Sequence, residues 1–531
     1  MTKQYDAIVI GGGHNGLVCA AYLGKAGKKV LLLEAADEVG GMARTREFCE
    51  GYRVSAGAHI LHSLSAQVVK ELALLDHGLD RSGHCLETVI LDEQGAHVTA
   101  GRDSASGEGL SPEEIEAYAS FKKKLRSYAE LMQPMMRRRP PRVAALGFRD
   151  SVALAKLGWN MRFGLGTEEM RDFLRLAGIN IYDVLDEFLG EGPASDKLKG
   201  MISLDAVMGS FTGPRSPNTV FTYLCRLMGE LEGDMQLPVG GMGAVMQALA
   251  NAAQAHGVEV RTAAPVSSIR TEKGCVVGVR LASGDDIDAD IVVSNADPKT
   301  TFLKLLGAPK LEAGFANRVS RIRNRGTAAK LHFALRGLPK FTGLEEGQLR
   351  NRLLVASSSD FVELAFNPVK YEEVSDSPAI ELVIPSLADP SLAPEGHHVM
   401  SIALPHVPYA LKGGWDAEAR KAFIDSVIAS VERFAPGFTE LVVDSELLTP
   451  ADIEAQFGAT GGHWHHGELA LDQMLMLRPL YGAAQYTTPL DGLFLCGAGC
   501  HPGGGVSGLP GHNAAAAVLK NKKKGRAEAV A

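Results

Sequence analysis

The fold is decided by the stretch Tyr5-Asp-Ala-Ile-Val-Ile-Gly-Gly-Gly-His-Asn-Gly16. Residues 7–10 form an apolar β run, and Gly11 permits a tight turn directly after it. Gly13 lets the backbone approach a pyrophosphate, and Gly16 lets the next helix pack close to the sheet. The pattern therefore predicts the first strand, turn and helix of a dinucleotide-binding fold.

A helix that begins near His14 aims the amides of His14 and Asn15, and the positive end of its dipole, at the phosphates. Residues 29–33 indicate the next strand, and Glu34 stands at its carboxyl end. A carboxylate there accepts hydrogen bonds from ribose hydroxyls and disfavours a 2′-phosphate. Strand, glycines, helix, strand and acid in this register predict a bound dinucleotide, against the alternative of a purely structural βαβ unit.

A second glycine pair, Gly40 and Gly41, is followed closely by Arg44. A second close approach of the backbone, with a cation nearby, suits a larger cofactor that crosses the mouth of the first loop. NAD-dependent dehydrogenases have no need for it. The segment resembles the second motif of glutathione-reductase-type flavoproteins, which narrows the nucleotide to FAD. A glycine-rich surface turn is the alternative.

The bulk composition bounds the class of protein. At 531 residues the chain is long enough for two domains, because single cores stop growing near ~250–300 residues. Its apolar content of 46% is typical of a globular protein, and its net charge of -8 argues against a nucleic-acid partner. No apolar run reaches the ~18–20 residues that span a bilayer, and the N-terminus lacks a signal segment. We therefore expect a cytoplasmic protein that is not integral to a membrane.

Seven cysteines are scattered singly along the chain, which does not suggest a disulfide framework. Only Cys496 and Cys500 are close in sequence, and no CxxC or CxxxxC follows the first nucleotide motif. We expect packing from this pair rather than redox chemistry, which argues against a disulfide-reductase mechanism.

The predicted nucleotide fold is interrupted by a helical region that begins after about residue 75. Ser111-Pro-Glu-Glu114 is a capping box that opens a helix through Met132. This region is rich in Met, Leu and aromatic residues, which form either ordinary core or an apolar substrate tunnel or membrane-facing surface. The predicted nucleotide domain comprises residues 1–75, 235–300 and 450–531, and the predicted substrate domain comprises 76–234 and 301–449.

The final return to the first domain is a glycine-dense block over residues 493–515. A strand leads into this loop and a small-residue helix over 513–519 follows, so a second helix N-terminus is delivered to the cofactor. So many glycines are entropically unfavourable unless the backbone closely approaches a ligand. The block predicts cofactor contacts from Gly497, Gly499, Gly505 and Val506.

Together these blocks resemble the phytoene-dehydrogenase-like branch of FAD-dependent oxidoreductases, which includes carotenoid desaturases and the animal pyridine nucleotide-disulphide oxidoreductase domain-containing proteins. The resemblance covers nearly the whole chain. Its carriers are the glycines of residues 11–16 with Glu34, Gly40-Gly41, Pro238-Val-Gly-Gly-Met242, Asn295-Ala-Asp-Pro298 and the block from Cys496 to Ala515.

The resemblance implies an α/β fold. A Rossmann-type, glutathione-reductase-like FAD-binding domain is expected, with a discontinuous mixed α+β substrate domain over the flavin's face. It also implies that the backbone at Val266 pairs with adenine and that Ala296 lies in a turn packed close to the cofactor.

Flavin oxidation of a C–H or C–N bond needs a substrate carbon near flavin N5 and a destination for a proton. Lys330 is the first candidate, since its position resembles that of the lysine that holds a water near N5 in amine-oxidase-type flavoenzymes. Strand alternation puts Lys330 and His332 on one face, opposite Leu331 and Phe333. An exposed strand lysine is the alternative.

Histidines supply the other catalytic candidates. His501 lies in the loop expected beside the flavin, where it either bonds to flavin or substrate or packs the loop. The segment Gly461-Gly-His-Trp-His-His-Gly-Glu468 suggests a metal site at first sight, but no further ligands at suitable spacing accompany it, so no metal is predicted. We predict a substrate-side loop with His466 or Glu468 near the flavin. A similar loop-lining pair, with weaker support, is His59 and His62.

Two basic clusters remain, Arg137 to Arg139 and Lys520 to Arg526. Solvated surface is the simpler interpretation. The alternative is peripheral docking on an anionic membrane, where the protein would collect a lipid-like substrate.

The first functional hypothesis is an FAD-dependent dehydrogenase or desaturase that oxidises an apolar, isoprenoid- or lipid-like small molecule by hydride transfer to flavin N5. The second is a flavin amine oxidase, although the 6% of aromatic residues show no clear cage for an amine. The third is a non-catalytic prenyl-binding protein of the GDP-dissociation-inhibitor type, which the intact glycines and Glu34 oppose. The substrate, the electron acceptor and the oligomeric state stay open.

Overall fold

The computed structural model describes residues 4–142 and 147–521. Within these ranges the strands are, in chain order, β1 (Tyr5–Ile10), β2 (Val30–Leu33), β3 (Thr45–Cys49), β4 (Tyr52–Ser55), β5 (Thr88–Ile90), β6 (Val98–Ala100), β7 (Ala105–Gly107), β8 (Glu259–Arg261), β9 (Val266–Glu272), β10 (Cys275–Leu281), β11 (Asp286–Ser294), β12 (Ala329–Leu335), β13 (Arg352–Val355), β14 (Ile380–Val383), β15 (His398–Leu404), β16 (Val442–Leu448) and β17 (Leu493–Leu495).

The helices are, in the same order, α1 (His14–Lys25), α2 (Ala66–Glu71), α3 (Pro112–Met136), α4 (Phe148–Trp159), α5 (Thr167–Leu176), α6 (Ile181–Phe188), α7 (Pro193–Val207), α8 (Thr219–Glu230), α9 (Gly241–Ala255), α10 (Ala313–Ser320), α11 (Ser359–Phe366), α12 (Ala417–Glu432), α13 (Phe438–Leu441), α14 (Pro450–Phe457) and α15 (Leu509–Lys520).

The first sheet has a parallel core in the order β8-β2-β1-β11-β17. Strand β1 pairs with β2 on one side and β11 on the other, so that Ala7 stands opposite both Val30 and Ile291. The first residues of β11 extend beyond this core and pair with β10 in an antiparallel β9-β10-β11 meander. Strands β1 and β2 are almost wholly buried, as parallel strands covered on both faces usually are.

Helix α1 packs against both α9 and α15 beside this sheet. A Cβ built on Gly511 of α15 would lie 2.1 Å from the Asn15 carbonyl oxygen, so these helices touch backbone to backbone. Helix α15 begins at Leu509, one turn before the predicted start at Asn513. That prediction was wrong because Pro510 and Gly511 are weak helix formers in isolation, whereas packing against α1 holds them in the helix.

The second sheet runs β16-β12-β15-β14-β13-β5-β6-β7 and is antiparallel except for the β13–β5 pair. Strand β12 lies between β15 and β16. Its Leu331 and Phe333 pack into a core with Phe423 and Val427 of α12. Lys330 and His332 therefore share the opposite face, as strand alternation predicts.

Helices α3, α6, α7 and α8 enclose a further core beside the second sheet. Helix α3 begins with the predicted capping box, in which the Glu114 amide donates to Ser111 Oγ and the Ser111 amide donates to the Glu114 carboxylate. The helix continues to Met136, one turn beyond the predicted end at Met132. Both methionines are buried in this core, which explains the extension through Pro134.

The predicted α/β class is confirmed. The strands of the first sheet lie within the sequence ranges predicted for the nucleotide domain, and those of the second sheet lie within the ranges predicted for the substrate domain. The domain boundaries themselves stay predictions. Across residues 4–142 and 147–521, no helix has both the length and the apolar content that crossing a membrane requires.

Candidate active site

The first glycine loop joins β1 to α1. Gly11 has a φ of 95°, a conformation that favours glycine. A Cβ on Gly16 would lie only 2.0 Å from the Gly11 carbonyl oxygen, so position 16 admits no side chain without movement of the backbone. Helix α1 begins at His14 as predicted, and the amides of His14 and Asn15 belong to its first turn, which has no intrahelical acceptors. These amides are available to an anion.

The second glycine pair lies across the mouth of this loop. The Gly40 amide donates to the Gly12 carbonyl over 2.9 Å. Gly40 and Gly41 have φ values of 120° and 55°, which residues with a Cβ rarely adopt. Arg44 follows with its Cζ 5.5 Å from the centre of the Phe457 ring. Two glycines and a cation therefore border the first loop.

Glu34 lies directly after β2 and is tied to the same loop. Its Oε2 accepts from the Gly12 amide over 2.6 Å, and its Oε1 accepts from the Ala36 amide over 2.9 Å. Each carboxylate oxygen has two lone pairs, so both keep a site for a ribose hydroxyl. The Ala264 amide donates to the Glu34 carbonyl, which brings the start of β9, with Val266, beside the acid.

The turn after β11 is a third segment that contacts the first glycine loop. The Asn295 side-chain amide donates to the Gly11 carbonyl over 3.4 Å and lies 3.0 Å from the position of a Cβ on Gly13. A Cβ on Gly497, which follows β17, would lie 2.5 Å from the Asn295 carbonyl oxygen. The sequence interpretation placed the turn Asn295-Ala-Asp-Pro298 close to the cofactor and named Ala296 as its binding residue. It did not assign a contact to the Asn295 side chain, although a side-chain amide directly after a parallel strand was the available signal.

The C-terminal glycine loop completes the enclosure. A Cβ on Gly499 would lie 2.7 Å from Pro298 Cδ, so the loop presses against the turn after β11. Gly505 has a φ of 88° and contributes a backbone hydrogen bond to the His14 side chain. Val506 packs against the core of the first sheet.

These loops fit FAD. Buried polar groups are normally hydrogen-bonded. Several around the loops have no partner within residues 4–142 and 147–521, namely His14 Nε2, Asn15 Oδ1, Arg44 Nε, Ser63 Oγ and His466 Nδ1. They surround two glycine turns and a helix N-terminus, with a carboxylate at the ribose position. The glycines of residues 11–16 and 40–41 would hold the pyrophosphate, and Glu34 would hold the ribose.

A chain of charged side chains lies on the face of β12 that points away from the apolar core. Lys330 is fully buried, and its Nζ lies 2.8 Å from His59 Nδ1. His59 Nε2 lies 2.8 Å from Glu381 Oε1. Glu381 Oε2 accepts from Arg352 Nε over 2.5 Å, and Arg352 Nη2 donates to Asp205 over 2.5 Å. We call these five residues the Lys330 network.

The charges of the network balance without Lys330. Arg226 Nε lies 3.0 Å from Asp205, so two guanidinium groups face two carboxylates. Burial would raise the pKa of Glu381, but the Arg352 guanidinium and a histidine hydrogen bond hold it well below its usual range. Burial lowers the pKa of Lys330 to about 7, against the opposing pull of Glu381. Lys330 therefore changes protonation near neutral pH.

His59 connects Lys330 to the Glu381 carboxylate, and this connection requires one particular tautomer of the His59 ring. A carboxylate only accepts, so His59 Nε2 carries the proton and donates to Glu381. Its Nδ1 lone pair then faces Lys330 Nζ and Ser401 Oγ, the latter 3.1 Å away. Burial and the Lys330 charge lower the pKa of His59 to about 4, which leaves the ring neutral at pH 7. The alternative of an exposed strand lysine is wrong.

Backbone contacts join this network to the cofactor loops. His332, on the same face of β12 as Lys330, lies with its Nε2 3.3 Å from the Ala56 carbonyl. The Ala56 amide donates to the Arg44 carbonyl, and the Ala58 amide donates to the Met42 carbonyl. The segment that carries His59 is thus bonded to the second glycine motif, and the Lys330 face is turned toward it.

Sequence reasoning missed Arg352, Glu381 and Asp205. The signal was a lone charge within a short apolar strand, Arg-Leu-Leu-Val in β13 and Ile-Glu-Leu-Val in β14. A charged residue is rarely fully buried unless it is paired. Two such strands in one protein therefore suggest that their charges meet.

The histidine-rich loop, residues 461–468, places its two predicted site residues, His466 and Glu468, in different surroundings. A Cβ on Gly497 would lie 3.3 Å from His466 Nδ1, so His466 sits against the cofactor loops. Glu468 points elsewhere and accepts from Arg323 Nε over 2.8 Å. The loop is held by Arg478, which was missed as an organiser and donates to the carbonyls of His465, Gly467, Glu468, Gln473 and Ala498. Within the described ranges, no three His, Cys, Asp or Glu side chains are grouped to bind a metal.

His501 contacts the helical layer. Its Nε2 lies 3.0 Å from the Met135 carbonyl at the end of α3, and its own carbonyl accepts from Tyr486 Oη over 2.6 Å. Burial lowers the pKa of His501 to about 4. This geometry favours the loop-packing role over direct catalysis. Its part in catalysis stays a prediction.

The remaining candidates are the cysteines and the two basic clusters, whose membrane docking stays a prediction. All seven cysteines fall within the described ranges and are free, and Cys496 and Cys500 are buried. In the first basic cluster Arg137 bonds to Glu232 over 2.8 Å, and Arg139 lies 3.7 Å from Asp150. The second basic cluster lies mostly outside the described residues, from position 522 onward.

The sequence matches the model of the flavin containing amine oxidoreductase family over residues 16–519. Pyridine nucleotide-disulfide oxidoreductase domain-containing protein 2 of Rattus norvegicus is 33% identical, over 98% of this chain and 94% of that protein. The phytoene desaturase (neurosporene-forming) of Cereibacter sphaeroides is 25% identical, over 95% and 92%. The crystal structure of an oxidoreductase from Methanosarcina mazei has a similar fold, with a TM-score of 0.59 and 17% identity over 97% of this chain and 100% of that one.

Proposed function

The chain belongs to the flavin containing amine oxidoreductase family, and from that membership we propose that it is a dehydrogenase or desaturase of an apolar, isoprenoid- or lipid-like small molecule. The coarser statement is established: the protein is an FAD-dependent oxidoreductase. The predicted resemblance to the phytoene-dehydrogenase-like branch and the predicted cofactor are confirmed. The non-catalytic alternative is not retained.

The observation that carries the proposal is the buried Lys330 amine on the face turned toward the cofactor loops. Removal of a hydride and a proton from adjacent carbons needs a base in a site that excludes water. An amine whose pKa lies at about 7 is poised for that task at neutral pH. The phytoene desaturase among the relatives acts on a named apolar polyene, which supports the same substrate class.

Bound FAD supplies the hydride acceptor. The chain's own residues supply binding and proton handling. The two glycine motifs and Glu34 hold the cofactor by backbone and carboxylate contacts. Neutral Lys330 donates one N–H to His59 Nδ1 and keeps its nitrogen lone pair for the substrate proton. Once protonated, Lys330 is stabilised by the same His59 acceptor and, through space, by Glu381.

His59 is a positioning residue in this scheme. Its Nε2–H bond to Glu381 fixes the tautomer, which presents Nδ1 to Lys330. The buried guanidinium of Arg352 keeps Glu381 ionised, so the carboxylate does not take the proton away from Lys330. The network therefore leaves the proton on Lys330 until the product departs and solvent water accepts the proton.

The first experiment is a visible absorption spectrum of the purified protein, followed by denaturation to identify the released chromophore. Bands near ~375 and ~450 nm and released FAD are expected. The flavin is then titrated anaerobically with a panel of apolar alkenes, saturated isoprenoids and amines, and bleaching at ~450 nm is recorded. Bleaching by apolar hydrocarbons supports the proposal. Bleaching by amines alone would replace it with the amine-oxidase alternative.

A further inference from the structure

A cleft of about 710 Å³ opens beside the start of β12. Small-molecule sites typically have volumes of ~300–1,000 Å³, so the cleft is large enough for a ligand. It is formed where six segments of the chain meet, between residues 211 and 468. Its charged lining residues are Lys299, Arg323, Arg325, Lys370, Glu372 and Glu468.

Two of the four cations already have carboxylate partners. Arg323 donates to Glu468 over 2.8 Å and to both oxygens of Asp472. Lys370 lies 3.5 Å from Glu363. These side chains add little net charge to the cleft.

The other two cations, Lys299 and Arg325, have no carboxylate partner among the residues the structure describes. Lys299 is half-buried, and its Nζ donates to the neutral Asn324 side chain over 2.9 Å. Arg325 is exposed, and its Cζ lies 4.3 Å from the centre of the Phe211 ring. Among the residues the structure describes, no carboxylate lies within salt-bridge distance of Lys299 or Arg325. Glu372 also lines the cleft, and among the described residues no cation lies within salt-bridge distance of its carboxylate. Two unpaired cations and one unpaired carboxylate leave a net positive charge in the cleft, which forms a local site for an anion in a chain of net charge -8.

About half of the cleft lining is apolar. Phe211, Ile322, Val369, Pro408 and Tyr409 line it between the cations. The Phe211 ring is already covered by the chain's own guanidinium, so that face is not free to bind an ammonium group. Apolar walls with unpaired cations suit an amphiphile with an anionic end.

The cleft lies close to Lys330. Thr327 lines it and precedes Lys330 by three residues, which is about 10 Å at ~3.3 Å per residue of extended chain. We propose that this cationic cleft binds the carboxylate or phosphate group of an amphiphilic substrate, whose apolar part extends toward Lys330. The proposal rests on the proposed oxidation of an apolar molecule at Lys330 and assigns that molecule an anionic end.

The test measures binding by the FAD-loaded enzyme with four probes that share a ten-carbon chain: decanoate, decyl phosphate, decan-1-ol and decylamine. Isothermal titration calorimetry at low salt gives each dissociation constant. We expect both anions to bind about tenfold more tightly than the alcohol, and decylamine to bind least tightly. The preference should weaken in 0.5 M salt. The relative affinities of decanoate and decyl phosphate distinguish a carboxylate from a phosphate end.

Arg325→Gln and Lys299→Gln should each weaken anion binding about fivefold and leave decan-1-ol unchanged. Arg318→Gln is the matched control, because Arg318 is also exposed and also stacks on a ring, that of Phe315, outside the cleft. Equal affinities for the four probes, or equal effects of Arg325→Gln and Arg318→Gln, would overturn the proposal.

Binding to the cleft is also separable from the reaction. Calorimetry does not depend on flavin reduction. An enzyme that binds decanoate through Arg325, but whose flavin is bleached neither by apolar hydrocarbons nor by anionic amphiphiles, would count against the proposed function alone. A shift of the flavin absorption band on addition of decanoate, lost in Arg325→Gln, supports the connection between cleft and cofactor. Anion binding with no effect on the flavin spectrum would overturn that connection.

Discussion

The cofactor loops and the Lys330 network obtain their specificity in opposite ways. The loops act through backbone atoms at Gly11, Gly13 and Gly16, where side chains are absent. Gly11 has a positive φ, a Cβ on Gly13 would press on the Asn295 amide at 3.0 Å, and a Cβ on Gly16 would collide with the Gly11 carbonyl. The network acts through side chains alone, each of which carries a charge or a ring and is buried. The cofactor loops therefore tolerate no added atoms, whereas the Lys330 network tolerates no lost charge.

The largest effect is expected when the network loses a charge. Arg352→Met should lower the free energy of unfolding by about 4 kcal/mol, because it leaves Glu381 buried without its cation and leaves Asp205 with Arg226 alone. Urea unfolding measures the change. The control is Arg420→Met, which removes a half-exposed bidentate pair with Asp452 and should change stability by less than about 1 kcal/mol. Equal effects of the two substitutions would contradict the balanced buried network.

The next effect comes from an added atom. Gly16→Ala places a Cβ 2.0 Å from the Gly11 carbonyl oxygen, so the loop must move, at a cost of about 3 kcal/mol. We expect the variant to be purified with little FAD, as measured by flavin released per chain. Gly178→Ala is the control, since a Cβ there meets nothing within 4 Å. Full FAD content in Gly16→Ala would show that the close approach of helix and loop is not required for cofactor binding.

Lys330→Met separates the roles of the two regions, because it should leave FAD binding unchanged and remove the base that accepts the substrate proton. FAD content is expected to match the wild type, while anaerobic flavin reduction by the best substrate of the panel slows by about 10²-fold or more. Lys197→Met provides a buried lysine outside the network as a control. An unchanged rate in Lys330→Met would remove Lys330 from the mechanism.

The smallest expected effect is a shift of the pH profile. Flavin reduction should accelerate as the pH rises through about 7, because Lys330 must lose its proton to act as a base. Glu381 raises the pKa of Lys330, so Glu381→Gln should move the midpoint of the profile to lower pH. A midpoint that moves upward, or a rate that falls as Lys330 is deprotonated, would mean that the ammonium form is the active one.

The same contrast explains what the sequence could predict. The glycines of each loop lie within a few residues of one another, and each glycine has a backbone reason that is local. Their positions, the FAD cofactor and the α/β class could therefore be predicted. The Lys330 network joins residues 59, 205, 330, 352 and 381. Three of them lie on strands of the second sheet, and the packing of α7 and of the loop that carries His59 brings the other two to them. Lys330 itself was identified through its resemblance to a known position, whereas its charged partners had no local pattern.

The histidine-rich loop shows a second limit of prediction from sequence. His466 and Glu468 are two residues apart in one predicted loop, yet His466 lies against Gly497 and Glu468 pairs with Arg323. The direction of each side chain is set by the buried Arg478, which is bonded to backbone carbonyls on both sides of the loop. Sequence spacing carries no information about such a turn.

The position of β17 affects how the protein folds while it is being synthesised. This strand completes the parallel sheet beside β11, yet it follows β1 by more than 480 residues. At about 5–20 residues per second, a ribosome delivers β17 roughly 25–100 s after β1. During that interval the surface of α1 that later receives α15 is uncovered. The edge of β11 is unpaired for the last part of it, roughly 10–40 s, because roughly 200 residues separate β11 from β17. Open edges recruit other strands, so the order of synthesis leaves the first sheet exposed to wrong pairing until β17 arrives.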